Sequence, residues 1–495
     1  MMAELAAAQS PAGERSLQDI DPFIQSVMKE WKVPGLAIAV IQDGKVILSK
    51  GYGYRDAERS LPVTPRTLFA IGSISKSFTV TVLSTLVDQG KLDWDKPVRV
   101  SLPDFQLQDA VATEQMTARD LVSHSSGLPR HDAVWYGSSM TRRQMYERLR
   151  YLEPSKSFRG GFQYNNLMFM TAGILASQIA GASWEELVRK RIFEPLGMAR
   201  SNFSVNDSQK ADDFALPYSP EKEKIKRIPF RNIDEVGPAG SINSSVEEMI
   251  RYVQLHIDNG RFGESQILTA RSAERMQTPQ IVTPGTPEYE ETGYRSYGLG
   301  LGISTYRGNK TVEHGGGIDG FSASLSFMPN KRMGMIILTN SGDAATAASI
   351  ITRNVYDRLL GLDQVDWTDR ARKQMAKAKQ ATEEARKKDA STRKEGTSLS
   401  HPIADFAGIY EHPAYGQVRI EVDGSGLKGT FNQMAFSLKQ FHYDIFEIPE
   451  GGADSLAFSQ NEKISFFYNK KGEIDRVAIP LEPAVSDIVF TRVPK

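Results

Sequence analysis

Along the chain, the spacing of apolar and polar positions changes character three times. Gly35 to Ile41 is an unbroken apolar run; Asp43-Gly44 interrupts it and Val46-Ile47-Leu48 resumes it. An Asp-Gly pair between two such runs predicts a β-hairpin. A second hairpin is predicted from Ser322 to Phe327, a turn at Pro329-Asn330-Lys331, and Met335 to Thr339. Between these ends the pattern is mostly helical, as over Thr117 to Ser123, Met168 to Ala180, Ser183 to Ile192 and Ser245 to Asp258. Strands at both ends with helices between predict an α+β fold, an antiparallel sheet flanked by helices.

From Trp367 to about Lys394 large apolar residues almost vanish and Lys, Arg, Glu, Gln and Ala crowd together, the pattern of a solvated helical linker. After His401 short alternating runs follow one another: Gly408 to Tyr410, Val418 to Val422, Leu427 to Phe431, Phe436 to Leu438, His442 to Ile448, Leu456 to Phe458, Ile464 to Tyr468 and Asp475 to Ile479. Turns such as Asp423-Gly424, Gly451-Gly452 and Lys471-Gly472 separate many of them. About eight strands in so short a stretch predict a small antiparallel β-barrel or sandwich. The expected division is therefore 1–365 for the α+β domain, 366–399 for a charged helical linker and 400–495 for the β domain.

Composition adds mainly exclusions. A chain of 495 residues with 40% hydrophobic and 24% charged residues is an ordinary globular protein of two or three domains. Its zero net charge gives no reason to expect nucleic acid or an anionic membrane as partner, and no apolar run approaches a bilayer span. With no cysteine, disulfides, thiol catalysis and cysteine-bound zinc are excluded. Residues Met1 to Ser10 carry no basic head and too short an apolar stretch for a signal peptide, so the expected location is cytoplasmic, with a processed exported form as the alternative.

Candidate chemistry starts at Gly72-Ser73-Ile74-Ser75-Lys76, which precedes the apolar run from Phe78 to Leu83. This puts a hydroxyl and an amine one helical turn apart at the start of a helix of buried type. A desolvated lysine beside a serine helps to take its proton, and the first turn offers free N–H groups to an oxyanion. Spacing alone proves little, since about one or two Ser-x-x-Lys pairs arise by chance in such a chain. The same spacing occurs at Ser26/Lys29, Ser219/Lys222, Ser391/Lys394 and Ser425/Lys428, all on polar segments or turns. Ser73 is set apart by the apolar residues on both sides.

Two further segments could complete such a site. Tyr164 alone among 17 tyrosines is followed two positions later by asparagine, Asn166. A tyrosine near cations serves as a general base and an asparagine amide holds a lysine or a substrate carbonyl, although Asn165 or Asn166 would equally cap the helix that follows. In Glu313-His314-Gly315-Gly316-Gly317 three glycines at a strand end let a substrate backbone lie alongside, with a flexible turn as the plainer reading.

In this order, Ser73-Ile74-Ser75-Lys76, Tyr164-Asn165-Asn166 and His314-Gly315-Gly316 resemble the three motifs of the serine β-lactamases, penicillin-binding peptidases and their esterase relatives, most closely the class C-like branch. Val33-Pro34-Gly35, Leu121 to Leu128, Glu194 to Met198, Pro238 to Ser241 and Asn340-Ser341 fit the same pattern, over roughly residues 17 to 362. The resemblance implies that Ser73 forms an acyl-enzyme and Lys76 assists its deprotonation. It makes Tyr164 base and then acid, and has Asn166 orient Lys76 and the substrate. The oxyanion site would be the N–H groups of Ser73 and Gly317 on the Gly315-Gly316-Gly317 strand. His124 falls on a recurring position of the family and is expected to be a buried, hydrogen-bonded histidine.

The departure is His314, the remaining candidate site residue, where β-lactamases carry a lysine that attracts the substrate carboxylate. An uncharged histidine weakens that attraction and points toward the esterases and D-amino-acid peptidases. A catalytic domain followed by a lipocalin-like barrel resembles the D-aminopeptidase and archaeal carboxypeptidase type. In that type, barrels shape the active-site entrance or build oligomers, so a homo-oligomer through the barrel is an implied partner. The expectation is a serine hydrolase, with no cofactor and no metal, that cleaves small amides, peptides including those with D-residues, or esters. The alternatives are an acyltransferase or transesterase of a biosynthetic pathway, a weak β-lactamase, and a non-catalytic binding protein.

Overall fold

The computed structural model describes residues 16–221, 224–449 and 461–494. Two compact units divide the chain and neither follows its order: one takes the chain up to Trp94 together with Ala172–Met375, the other Asp95–Thr171 together with Ala376–Lys495. The helices used below are α1 (Ile20–Glu30), α2 (Ser75–Asp88), α3 (Ala118–Ser123), α4 (Asn166–Ala180), α5 (Val246–Ile257), α6 (Ala345–Leu359) and α7 (Trp367–Ala390).

The first unit is built on a nine-stranded antiparallel sheet. Its strands are β1 (Gly35–Gln42), β2 (Lys45–Asp56), β3 (Leu61–Pro62), β4 (Ile281–Val282), β5 (Ser296–Tyr297), β6 (Gly302–Tyr306), β7 (Asn309–Ile318), β8 (Phe321–Met328) and β9 (Met333–Thr339). They lie in the order β4-β5-β6-β7-β8-β9-β1-β2-β3. Both predicted hairpins form, β1–β2 about Asp43-Gly44 and β8–β9 about Pro329–Lys331. The unbroken apolar runs of β1 and β9, paired from Leu36↔Thr339 to Gln42↔Met333, follow from burial on both faces. Leu36, Ile38, Val40, Met335 and Ile337 face a core with α1, α6 and Trp367. On the opposite face Gly334 leaves room for α5, since a Cβ there would fall 2.7 Å from the Val253 side chain.

Helix α2 is buried from Ser75 to Leu86. Its Phe78 ring stacks on Tyr252 of α5 with centroids 3.8 Å apart. Helix α7 is the predicted polar helix: Trp367 and Ala371 are buried at its start and the rest is mostly exposed.

In the second unit the C-terminal strands close an eight-stranded antiparallel barrel, which decides between barrel and sandwich. They are β10 (Gly408–His412), β11 (Gly416–Asp423), β12 (Gly426–Phe431), β13 (Met434–His442), β14 (Ile445–Glu447), β15 (Lys463–Tyr468), β16 (Ile474–Ile479) and β17 (Ile488–Arg492). Alternate residues such as Val418, Ile420, Phe436, Leu438, Phe466 and Phe490 are buried, as a closed barrel with a filled interior requires. The sequence reading missed β17, which closes the barrel by pairing with β16 and, through Tyr410↔Arg492, with β10. The strand expected at Leu456 to Phe458 and the turn at Gly451-Gly452 lie outside the described residues.

Candidate active site

In the first unit, Ser73 occupies a single 3-10 turn, Gly72–Ile74, that runs into α2. The turn meets β7 main chain to main chain. Gly72 has φ +51°, and a Cβ on it would lie 2.6 Å from Gly317 N; a Cβ on Gly316 would lie 1.9 Å from Ile71 O and 3.3 Å from Ser73 N. Only glycine permits this approach, so Gly72 and Gly316 are required by packing rather than by flexibility. Gly317, by contrast, faces open space, with no atom within 4 Å of where its Cβ would stand.

Lys76 is fully buried one turn after Ser73. Its Nζ lies 3.0 Å from Ser73 Oγ and donates to Ala239 O at 2.8 Å. The segment around Ala239 grips the same turn of α2: Thr79 Oγ1 donates to Pro238 O at 2.7 Å, and Ile242 N donates to Ser75 Oγ at 3.1 Å. Helix geometry alone predicted the serine–lysine approach. It gave no sign that a carbonyl from the 238–241 segment would hold the amine.

β6 pairs with β7 only from Asn309 to Glu313, whereas β8 pairs with it through Ile318. Among the described strands none pairs with the other edge of residues 314–318, which leaves room for an extended substrate backbone. The end of this stretch is fixed by Arg231, whose Nε donates to Asp319 at 2.9 Å, a pair the sequence reading did not single out.

His314 is buried on β7. Its Nδ1 sits 2.6 Å from Gly315 O, so Nδ1 carries the proton and Nε2 accepts from the Tyr297 hydroxyl at 2.9 Å. Burial first, and the Lys76 charge second, push its pKa down to about 4. The imidazole is neutral near pH 7, as expected, and offers no charge to a substrate carboxylate.

The second unit holds Tyr164 and Asn166, in the turn that enters α4. Asn165 is the helix cap: its Oδ1 accepts from Met168 N at 2.8 Å and its side-chain amide donates to Pro129 O. The capping reading thus holds for Asn165 and leaves Asn166 to other work. His124 is buried, as expected, in a left-handed conformation at the end of α3. Its Nδ1 accepts from Asn165 N at 3.1 Å and its ring lies 4.2 Å from that of Tyr164.

Arg130 and Asp132 complete this cluster, and neither was singled out from the sequence. The Arg130 guanidinium lies 4.9 Å from the Tyr164 ring centre, a cation–π distance. Asn166 Nδ2 donates to Asp132 Oδ1 at 2.8 Å. That oxygen also accepts from Trp135 Nε1 at 2.7 Å, while Oδ2 accepts from Arg130 Nε at 2.6 Å. Among the described residues no three imidazole or carboxylate groups converge as a metal site would require.

The comparisons with known proteins agree with this architecture. Residues 20–359 match the family described as Beta-lactamase, and residues 392–492 match a domain of unknown function, DUF3471. The unguisins hydrolase ungD' of Aspergillus campestris (strain IBT 28561) is 28% identical over 434 residues, covering 83% of this chain and 78% of that one. The octameric penicillin-binding protein homologue of Pyrococcus abyssi aligns with a TM-score of 0.62 at 25% identity, over 96% of this chain and 100% of that one. The D-amino acid amidase of Ochrobactrum anthropi SV3, solved with L-phenylalanine amide, aligns with a TM-score of 0.56 at 22% identity, over 72% of this chain and 99% of that one, a likeness of fold alone. The chain belongs to the beta-lactamase family and is a serine hydrolase.

Proposed function

We propose that the protein hydrolyses small amides, peptides including those with D-residues, or esters through an acyl-enzyme on Ser73. The observation that carries this reading is the buried Lys76 amine, 3.0 Å from Ser73 Oγ and held by Ala239 O. A lysine buried and fixed at this distance is suited to assisting the deprotonation of the attacking hydroxyl. The reading assigns to Tyr164 the uptake of that proton and its return to the leaving amine or alcohol. Water then attacks the ester carbonyl, and its cleavage restores Ser73. Ser73 N and Gly317 N are the proposed oxyanion donors, beside the unpaired edge of β7. Asn166 orients Lys76 and the substrate, while neutral His314 supports the strand through Tyr297.

The uncharged His314 supports these substrates over β-lactams, whose carboxylate a neutral imidazole does not attract. The test is turnover of p-nitrophenyl esters, D- and L-aminoacyl anilides and a β-lactam by the wild type and by Ser73→Ala. Turnover of esters or anilides is expected in the wild type and none in the variant. Undiminished rates in Ser73→Ala would refute the assignment.

A further inference from the structure

The next inference rests on that reading and deepens it by naming a feature of the substrate. The turn Arg130-His131-Asp132, within the second unit, is tied on one side to Tyr164 and Asn166 and on the other to the barrel. His131 holds φ +46°, and three groups fix it there. Its backbone N donates to Glu482 Oε2 at 2.7 Å; its Nε2 donates to Glu153 O at 2.9 Å; its Nδ1 accepts from the Tyr415 hydroxyl at 2.6 Å. Just beyond, Asn432 Nδ2 donates to Ala133 O at 3.0 Å and to Tyr136 O at 2.9 Å. The barrel therefore sets the position of the turn that carries Arg130.

Arg130 and Asp132 form, with Leu481, Glu482, Pro483 and Ala484 of the barrel, an open cleft of about 410 Å³. Its charges are not equally available. Both Asp132 oxygens are occupied by Asn166, Trp135 and Arg130. Glu482 is only 6% exposed and accepts from two backbone N–H groups, those of His131 and Ala484. Arg130 is different: its side chain is 53% exposed, and among the described residues only its Nε is engaged in a hydrogen bond. Its two terminal NH2 groups remain for a ligand, beside the ring of Tyr164. A guanidinium presented in this way matches a carboxylate.

We propose that this cleft is a substrate subsite in which Arg130 binds a carboxylate while Leu481, Pro483 and Ala484 receive the apolar group that bears it. The preferred substrates are then acids, such as peptides or acylated amino acids ending in a free carboxylate.

The test pairs a binding measurement with a reaction. Phenylacetate, phenylacetamide and phenethylamine, which share one apolar group and differ in charge, are titrated into the full chain by calorimetry. Ser73 is labelled separately with a fluorophosphonate, with and without each compound. Phenylacetate is expected to bind roughly tenfold or more tightly than phenylacetamide, and to slow the labelling. That preference should vanish in Arg130→Gln and return in part in Arg130→Lys. Ala484→Trp, which fills the cleft from the barrel side, should weaken phenylacetate at least tenfold. Equal binding of acid and amide, a preference that survives Arg130→Gln, or tighter binding of the amine at Glu482 would each overturn the subsite. Failure of the fluorophosphonate to label Ser73 would instead overturn the serine reading, whatever the binding result.

Discussion

Around Ser73 the main chain does the positioning: Gly72 and Gly316 bring a turn and a strand into backbone contact, and a carbonyl at Ala239 holds the lysine. Around Tyr164 side chains do it, through Asp132 on Asn166, Arg130 over the ring and His124 beneath Asn165. The first arrangement leaves little freedom, because a missing methyl is what makes the contact possible. The second distributes the task over residues that could be exchanged without closing the site. The nucleophile's surroundings are therefore expected to tolerate almost no change, and the tyrosine's surroundings to tune rate and substrate choice.

The largest expected effect is on the first side. Lys76→Ala should slow acylation by about a thousandfold, within the range for losing a positioned proton-transfer group, as followed by ester turnover. A loss below tenfold would mean that the buried amine is structural. Gly316→Ala should destabilise the fold by about 3 kcal/mol in denaturant unfolding, because the added methyl meets Ile71 O. Gly317→Ala, with nothing in its way, should change stability by less than about 0.5 kcal/mol. If the two glycines behave alike, main-chain contact is not what fixes the turn.

On the second side, Asp132→Ala removes the acceptor for Asn166, Trp135 and Arg130. It should lower kcat by about tenfold to a hundredfold, since each charge-assisted bond is worth roughly 1.5–3 kcal/mol. A wild-type kcat would show that Asn166 needs no such anchor. The smallest effect concerns acid. Burial lowers the pKa of His314 and of His256 to about 4 from an ordinary 6.5. The unfolded chain takes up these protons first, so the stability is fully present above pH 6.5 and is lost as pH falls toward 4. His256→Phe should flatten that decline in unfolding curves collected from pH 7 to pH 4.5.

The same contrast explains what could be read from the chain. Ser73 and Lys76 are three positions apart, and the glycines at 315–317 are consecutive, so local spacing carries them. Two hairpins of the sheet were legible because Asp43-Gly44 and Pro329–Lys331 interrupt apolar runs. Arg130 and Asp132 were not, since each sits 34 positions before the residue it serves and Glu482 lies 351 positions beyond His131. The strand Ile488–Arg492 was missed for a related reason: one of its two partners is the first strand of the barrel, far away along the chain. Barrel closure is a long-range event that a short alternating run does not announce.

The most direct test of the central claim is to quench the enzyme with acid during turnover of a slow ester or anilide and locate the trapped acyl group by peptide mass spectrometry. The account predicts the added mass on the peptide containing Ser73, absent in Ser73→Ala and much reduced in Lys76→Ala. An acyl group on any other residue, or steady turnover with Ser73 never modified, would contradict it.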